Sequence, residues 1–360
     1  MRYSNYWKCV RSQGDEFVRE DCLHDKDRKV IVSWRHPVPI SPFRQRRAQH
    51  RVGPGSRQRH VRHLDNVAFY GYFQSASMEN LVERSFMLTP PSGAELFGDI
   101  RWQGNPSGRT FPVIIVCHGF RAFKDWGPFP AIGRFLAESG FVSVVFNFSH
   151  NGIGKDFRKF SEPEKFSVNS FSLELDDVKT IVDAIRSHLL ECPAIDHSKI
   201  GILGHSRGGG IALISGKEDN RIKAVAGWST VAYFNRYTEG QRRRWRERGY
   251  LELPSMNPLS VFRLSTALLD DLDRNAERLN IFSAVEFLHK PLLLIHGTAD
   301  LPVPLDEAQR LYEVSDKTMT QLVPLEGAGH MYGARHPYKK PGPTLSHVLE
   351  LTAAWFHKHL

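Results

Sequence analysis

The chain has 360 residues, 41% of them hydrophobic and 24% charged, a balance that predicts a soluble globular protein with a large core. No segment approaches the roughly 18 consecutive apolar residues of a membrane span, and the polar start lacks a hydrophobic signal core. We therefore expect no membrane association and a cytoplasmic location, while the net charge of +9 raises the question of a nucleic-acid partner.

Residues 1–77 hold most of the excess positive charge. They contain 15 Lys and Arg against 7 Asp and Glu, which leaves a net charge of only +1 for residues 78–360. Three interpretations of this leader stay open: a disordered extension, a basic arm that contacts nucleic acid by charge, or a segment outside the natural protein, whose synthesis would begin near Met78. Because the remainder is nearly neutral, we expect no nucleic-acid partner.

From Val82 onward, strand-like and helix-like segments alternate, which predicts an α/β fold with a mostly parallel sheet covered by helices on both faces. The first two strands should form an antiparallel hairpin. The predicted strands are 81–88, 95–102, 111–117, 142–148, 199–203, 222–226, 291–295 and 320–324. Helices are predicted at 131–139, at 173–190 and at the C-terminus.

The stretch at about 230–290 is too long for an ordinary connection between two strands, and it is rich in aromatic and charged residues. We interpret it as a lid inserted into a single α/β domain that spans residues 78–360. Its run Arg242-Arg243-Arg244 is expected to be a solvated helix face rather than an anion site.

The four cysteines lack the spacing of a metal site, and we expect no disulfide framework. Cys117 ends an apolar run, so a reduced thiol in the core is its expected state.

The most informative motif is Gly204-His205-Ser206-Arg207-Gly208, which directly follows an apolar strand and precedes a helix-like run of small residues. This context is typical of a nucleophile elbow, in which a sharp turn exposes the serine hydroxyl. A serine hydroxyl is a weak nucleophile near neutral pH, so the hypothesis also requires a base, a group that orients the base, and donors for an oxyanion.

Two residues near the ends of later strands fit the first two roles. His330 follows the predicted strand at 320–324 in a glycine-containing loop, and we take it as the general base. Asp300 follows the strand at 291–295 and is the expected partner of the second imidazole nitrogen. Asp306 and Glu307 are the alternatives, but we expect them on the next helix and pointing away.

The oxyanion is expected to bind two backbone N–H groups. One belongs to Arg207, directly after the serine, and the other to Phe120 in the turn His118-Gly119-Phe120 after the first buried strand. Backbone donors make the neighbouring side chains less critical, so we expect His118 and His205 to brace their turns rather than transfer protons.

These motifs resemble those of α/β-hydrolase superfamily serine hydrolases, in the group of dienelactone hydrolases, feruloyl esterases and prolyl oligopeptidase catalytic domains. The resemblance spans most of residues 110–335 and rests on His118-Gly119-Phe120, the segment 204–209, the segment 296–300 with Val303-Pro304, and Gly329-His330. It implies an α/β-hydrolase fold and the triad roles of Ser206, Asp300 and His330. Ser206 departs from the cysteine nucleophile of dienelactone hydrolases, and no propeller-sized region precedes the hydrolase part as in the oligopeptidases, so an esterase is the better analogy.

We therefore expect a serine hydrolase that cleaves small-molecule carboxylic esters through an acyl-enzyme and requires no metal and no organic cofactor. A peptidase or amidase with the same triad is one alternative. A non-catalytic binding protein with a hydrolase fold is another, and the sequence does not indicate an oligomeric state.

Overall fold

The computed structural model describes residues 80–104, 108–155, 160–253 and 262–360. The expectations for the leader, and for Cys9 and Cys22 within it, lie outside the described residues. Within these ranges the strands are β1 (Leu81–Leu88), β2 (Leu96–Gln103), β3 (Phe111–Cys117), β4 (Val142–Phe146), β5 (Ile195–His205), β6 (Ile222–Trp228), β7 (Tyr250–Leu253), β8 (Phe262–Ser265), β9 (Leu292–Gly297) and β10 (Thr320–Leu325).

The helices cover both faces of the sheet or lie in the connections between its strands. They are α1 (Phe129–Glu138), α2 (Pro163–Ser167), α3 (Phe171–Arg186), α4 (Arg207–Glu218), α5 (Glu239–Arg248), α6 (Ala267–Arg274), α7 (Ile281–Glu286), α8 (Leu305–Val314) and α9 (Pro343–His359). No helix in the described ranges is both long and apolar enough to cross a bilayer.

Eight of these strands form one mixed sheet in the order β1-β2-β4-β3-β5-β6-β9-β10. The strands β1 and β2 pair as an antiparallel hairpin, and β2 is also antiparallel to β4. From β4 to β10 all neighbours are parallel. The predicted opening hairpin and mostly parallel sheet are thus confirmed.

Alternate side chains of the central strands pack against helices on opposite faces of the sheet. Val113 and Ile115 of β3 belong to the cluster that contains α3 and α4. Ile114 and Val116 belong to the cluster that contains α1 and α9. All four side chains are buried, and full burial of each stabilises the fold by about 1.5–3 kcal/mol. This double coverage explains why the central strands are continuous apolar runs.

Several element boundaries differ from the prediction by a few residues, and two of these differences have clear local reasons. The strand β5 begins at Ile195 rather than at residue 199 because Ile195 pairs with Phe111 ahead of a bulge. The helix α3 begins at Phe171 because the Ser170 hydroxyl accepts a hydrogen bond from the Leu173 N–H at 3.3 Å, as an N-cap does.

The long connection between β6 and β9 holds α5, a two-stranded antiparallel hairpin of β7 and β8, α6 and α7. The hairpin and the short helix α2 were not predicted. The Phe262 ring of β8 lies 4.1 Å from the Phe160 ring and 5.5 Å from the Phe166 ring between centroids. The excursion therefore packs onto the loop and helix that precede α3, and its function as a lid stays a prediction.

The expectation of a solvated arginine face is wrong for Arg242. Its side chain is buried and forms an ion pair with Asp273, whereas Arg243 and Arg244 are exposed. Asp273 lies on α6, so this contact joins α5 to α6. The cysteine prediction is confirmed for Cys117, and Cys192 is likewise a buried free thiol.

Candidate active site

The predicted elbow lies between β5 and α4, and its serine has a strained backbone. Ser206 has φ of +56° and ψ of −120°. Residues other than glycine rarely adopt a backbone conformation with positive φ. Such strain costs about 1–3 kcal/mol and is concentrated at functional sites. Ser206 is half-buried at the carboxyl end of β5.

The glycines on either side of the serine allow three backbone segments to meet. A Cβ atom on Gly204 would lie 2.1 Å from the Gly208 carbonyl oxygen. A Cβ atom on Gly208 would lie 2.4 Å from the His118 carbonyl oxygen and 2.5 Å from that of Cys117. These distances leave no room for a Cβ atom at position 204 or 208. The two glycines therefore allow α4 to begin directly against β5 and the end of β3.

Asp300 and His330 form a hydrogen-bonded pair beyond the neighbouring strands β9 and β10. The His330 Nδ1 atom lies 3.0 and 2.9 Å from the two carboxylate oxygens of Asp300. Asp300 is buried and also accepts a hydrogen bond from the Val303 N–H at 3.0 Å. Burial alone would raise the pKa of Asp300, but its hydrogen bonds, that from His330 foremost, leave the pKa below the usual value. The carboxylate is thus ionised at neutral pH.

His205 ties His330 to the elbow. Its Nε2–H donates to the His330 carbonyl oxygen at 2.9 Å, and the two ring centroids are 4.7 Å apart. Burial, aided by the nearby His330, lowers the pKa of His205 to about 3, so its ring is neutral and keeps a single donor. This contact joins the loop of His330 to the residue that directly precedes Ser206, and it agrees with the expected bracing role of His205.

The two predicted oxyanion donors lie on segments in direct contact. A Cβ atom on Gly119 would lie 3.3 Å from the Ser206 Cβ atom, so the turn that holds Phe120 touches the elbow. Within the described ranges, no acceptor takes a hydrogen bond from the backbone N–H of Phe120 or of Arg207. Their role as oxyanion donors stays a prediction.

Two further side chains hold the turn that carries Phe120. Burial lowers the pKa of His118 to about 4, and the neutral ring bonds to the Gly119 carbonyl oxygen at 2.9 Å. The Lys124 ammonium is buried and donates to Asp99 at 2.8 Å. Neither Asp99 nor Lys124 was identified from the sequence.

The alternative carboxylates do not reach His330. Asp306 is exposed on the first turn of α8, and Glu307 on the same turn is buried. Glu307 accepts two hydrogen bonds from Arg236, each of 2.8 Å. It therefore anchors the start of the excursion to α8, and Asp300 is the carboxylate bonded to His330.

The side chain of Arg207 is buried in an ion pair with Glu174, a contact that the sequence does not predict. Glu174 falls on the apolar face of α3, next to Leu175 and one turn before Val178. A carboxylate on a buried helix face needs a buried partner. The position of Glu174 in the sequence could therefore have indicated an ion pair, but not which residue forms it.

A model of the prolyl oligopeptidase family matches residues 129–360, more than half of the chain and a range that includes Ser206, Asp300 and His330. The chain belongs to this family. The chain is 23% identical over 268 residues to the uncharacterized peptidase YuxL of Bacillus subtilis (strain 168). The aligned region covers 70% of this chain and 35% of YuxL. The matched part thus corresponds to about a third of the length of that relative.

Solved structures show the same fold. An esterase domain from Rhodothermus marinus matches with a TM-score of 0.53 and 18% identity, over 77% of this chain and 99% of that domain. Est1E from Butyrivibrio proteoclasticus, with ferulic acid bound, matches with a TM-score of 0.56 and 19% identity, over 75% and 98%. Together with the family match, these findings confirm the predicted resemblance to α/β-hydrolase superfamily serine hydrolases.

Proposed function

We propose that the chain cleaves carboxylic esters of small molecules through an acyl-enzyme, with Ser206 as nucleophile, His330 as general base and Asp300 as the group that orients the base. The observation that carries this proposal is the hydrogen bond from His330 to both oxygens of Asp300, on a histidine that His205 holds beside the elbow. A nucleophile, an orienting carboxylate and a base, in this order along the chain, are the parts that acyl transfer on this fold needs.

The mechanism follows from the tautomer that Asp300 selects. Because the carboxylate accepts the Nδ1–H of His330, the Nε2 atom carries a lone pair and takes the proton of the Ser206 hydroxyl. The serine oxygen bonds to the ester carbon, and the electron pair of the carbonyl bond moves to its oxygen. The N–H groups of Phe120 and Arg207 stabilise this oxyanion.

Collapse of the tetrahedral intermediate completes acylation. The carbonyl bond re-forms, the bond to the alcohol oxygen breaks, and His330 returns its proton to the departing alcohol. Water then attacks the acyl-enzyme with His330 again as base, which releases the acid and restores the Ser206 hydroxyl.

The charges around the site favour an ester over a peptide with a free amino terminus. Such a peptide carries an ammonium group, which a protein binds with an unpaired carboxylate. In the part of the chain that the structure describes, Glu174 is paired with Arg207 and Glu307 with Arg236, while Asp300 is bonded to His330. These acidic groups beside the elbow are therefore engaged already.

The family match keeps a peptidase or amidase with the same triad as the second candidate function, and turnover of two substrate series separates the two. We expect turnover of p-nitrophenyl esters of graded chain length, or of a feruloyl ester, and at least about a hundredfold lower kcat/KM for aminoacyl and blocked peptidyl p-nitroanilides. Equal or higher kcat/KM on the p-nitroanilides would favour the peptidase.

A further inference from the structure

The side chain of Arg207 connects the elbow to α3. Its Nε donates to the Glu174 carboxylate at 3.0 Å, and its Nη2 lies 2.9 Å from the other carboxylate oxygen. Both residues are buried, with 8% and 4% of their surfaces exposed. The Asn169 amide donates to the same carboxylate at 2.9 Å, which fixes its orientation.

The guanidinium group also contacts the segment that carries the other oxyanion donor. It lies 5.0 Å from the ring centroid of Phe120 and 4.2 Å from that of Phe171. Phe171 begins α3, whereas Phe120 belongs to the turn after β3. One side chain therefore touches Phe120 while its own backbone supplies the second N–H group.

An arginine suits this position better than a lysine. The planar guanidinium group can bond a carboxylate through two nitrogens and at the same time lie against aromatic rings. Burial of the Glu174 carboxylate raises its pKa, and the charge of Arg207 opposes this effect. If either partner is removed, a buried charge is left without compensation, so the other cannot keep its position unchanged.

We propose that Arg207 and Glu174 are a positioning pair that sets the distance between the Phe120 and Arg207 N–H groups, and so the strength of the oxyanion hole. This inference rests on the proposed function. A displacement of the guanidinium releases Phe120 and rotates the first turn of α4, and hydrogen bonds to an oxyanion weaken steeply with such changes. The pair acts on the transition state and contributes little to binding of the planar ester.

The test compares Glu174→Gln and Arg207→Lys with a control, Glu218→Gln. Glu218 is the last residue of α4, at the end of the helix far from the elbow, and it accepts hydrogen bonds from two nitrogens of Arg278, both at 2.9 Å. For each protein we would measure Tm, kcat, KM for an ester, and the inhibition constant of a boronic acid, which forms a tetrahedral adduct on a catalytic serine.

We expect both site variants to lower kcat by about tenfold or more with KM changed less than about threefold, and to weaken boronic acid binding by a similar factor. The control should leave kcat and boronic acid binding within about twofold of the wild-type values. The positioning role would be overturned if the site variants had a lower Tm but the same kcat and the same boronic acid affinity as the wild-type protein. If Glu174→Gln does not fold, Arg207→Lys, which keeps the positive charge, decides the question.

Labelling of the wild-type protein with a fluorophosphonate distinguishes failure of the positioning pair from failure of the proposed function. Labelling at Ser206 together with unchanged kcat in both site variants would refute only the positioning pair. If Ser206 of the wild-type protein is not labelled, the proposed function fails and the positioning pair fails with it.

Discussion

Replacement of Ser206 by alanine is expected to lower kcat for a short p-nitrophenyl ester by about four to six orders of magnitude. The variant keeps the fold, because the change removes one half-buried hydroxyl from an elbow whose geometry is set by Gly204 and Gly208. Steady-state kinetics and a thermal melt of the same preparation measure the two parts of the prediction.

Ser215→Ala is a suitable control for this substitution. Ser215 is a buried serine of α4, one of the helix residues that follow the elbow, and within the described ranges its hydroxyl has no hydrogen-bond partner. We expect its kcat to stay within about twofold of the wild-type value. Retention of ester turnover by Ser206→Ala, at a level close to that of Ser215→Ala, would refute the nucleophile assignment.

Asp300→Asn is expected to lower kcat by about three to four orders of magnitude at neutral pH, the loss expected when an orienting carboxylate becomes an amide. The carboxylate accepts the Nδ1–H of His330, whereas the amide nitrogen of asparagine donates toward Nδ1. The favoured tautomer then has its proton on Nε2, so His330 cannot take the proton of Ser206. The measurement is kcat for the same ester.

The exposed Asp306 supplies the control for loss of a nearby negative charge. Asp306→Asn changes the net charge by the same amount on the first turn of α8, away from His330. We expect kcat within about twofold of the wild-type value. If instead Asp306→Asn lost activity and Asp300→Asn kept it, the orienting role would pass to another carboxylate.

Ser206, Asp300 and His330 could be proposed as site residues from the sequence because each lies near the carboxyl end of a strand. In a parallel sheet these ends share one edge, so strand order brings residues that are distant in sequence to the same edge. The glycines of the elbow could be interpreted in the same way, since close packing of a helix on a strand requires them.

Contacts between helices were not predictable in the same way. Glu174 and Arg207 lie 33 positions apart on different helices, and nothing in either segment identifies its partner. Arg242 has local neighbours typical of a solvated helix, and only the packing of α5 on α6 places it against Asp273. Short elements such as α2 and the β7–β8 hairpin depend on tertiary contacts, because four or five residues carry too little periodicity to be recognised.

Reaction of the wild-type protein with a fluorophosphonate, followed by mass spectrometry of its peptides, tests the proposed function most directly. A fluorophosphonate forms a stable covalent adduct with an activated serine and spares ordinary serine hydroxyls. We predict one adduct per chain, on the peptide that contains Ser206, with loss of ester hydrolysis in proportion to labelling. Absence of an adduct, or an adduct on a different serine with Ser206 unmodified, would contradict the assignment of Ser206 as the catalytic nucleophile.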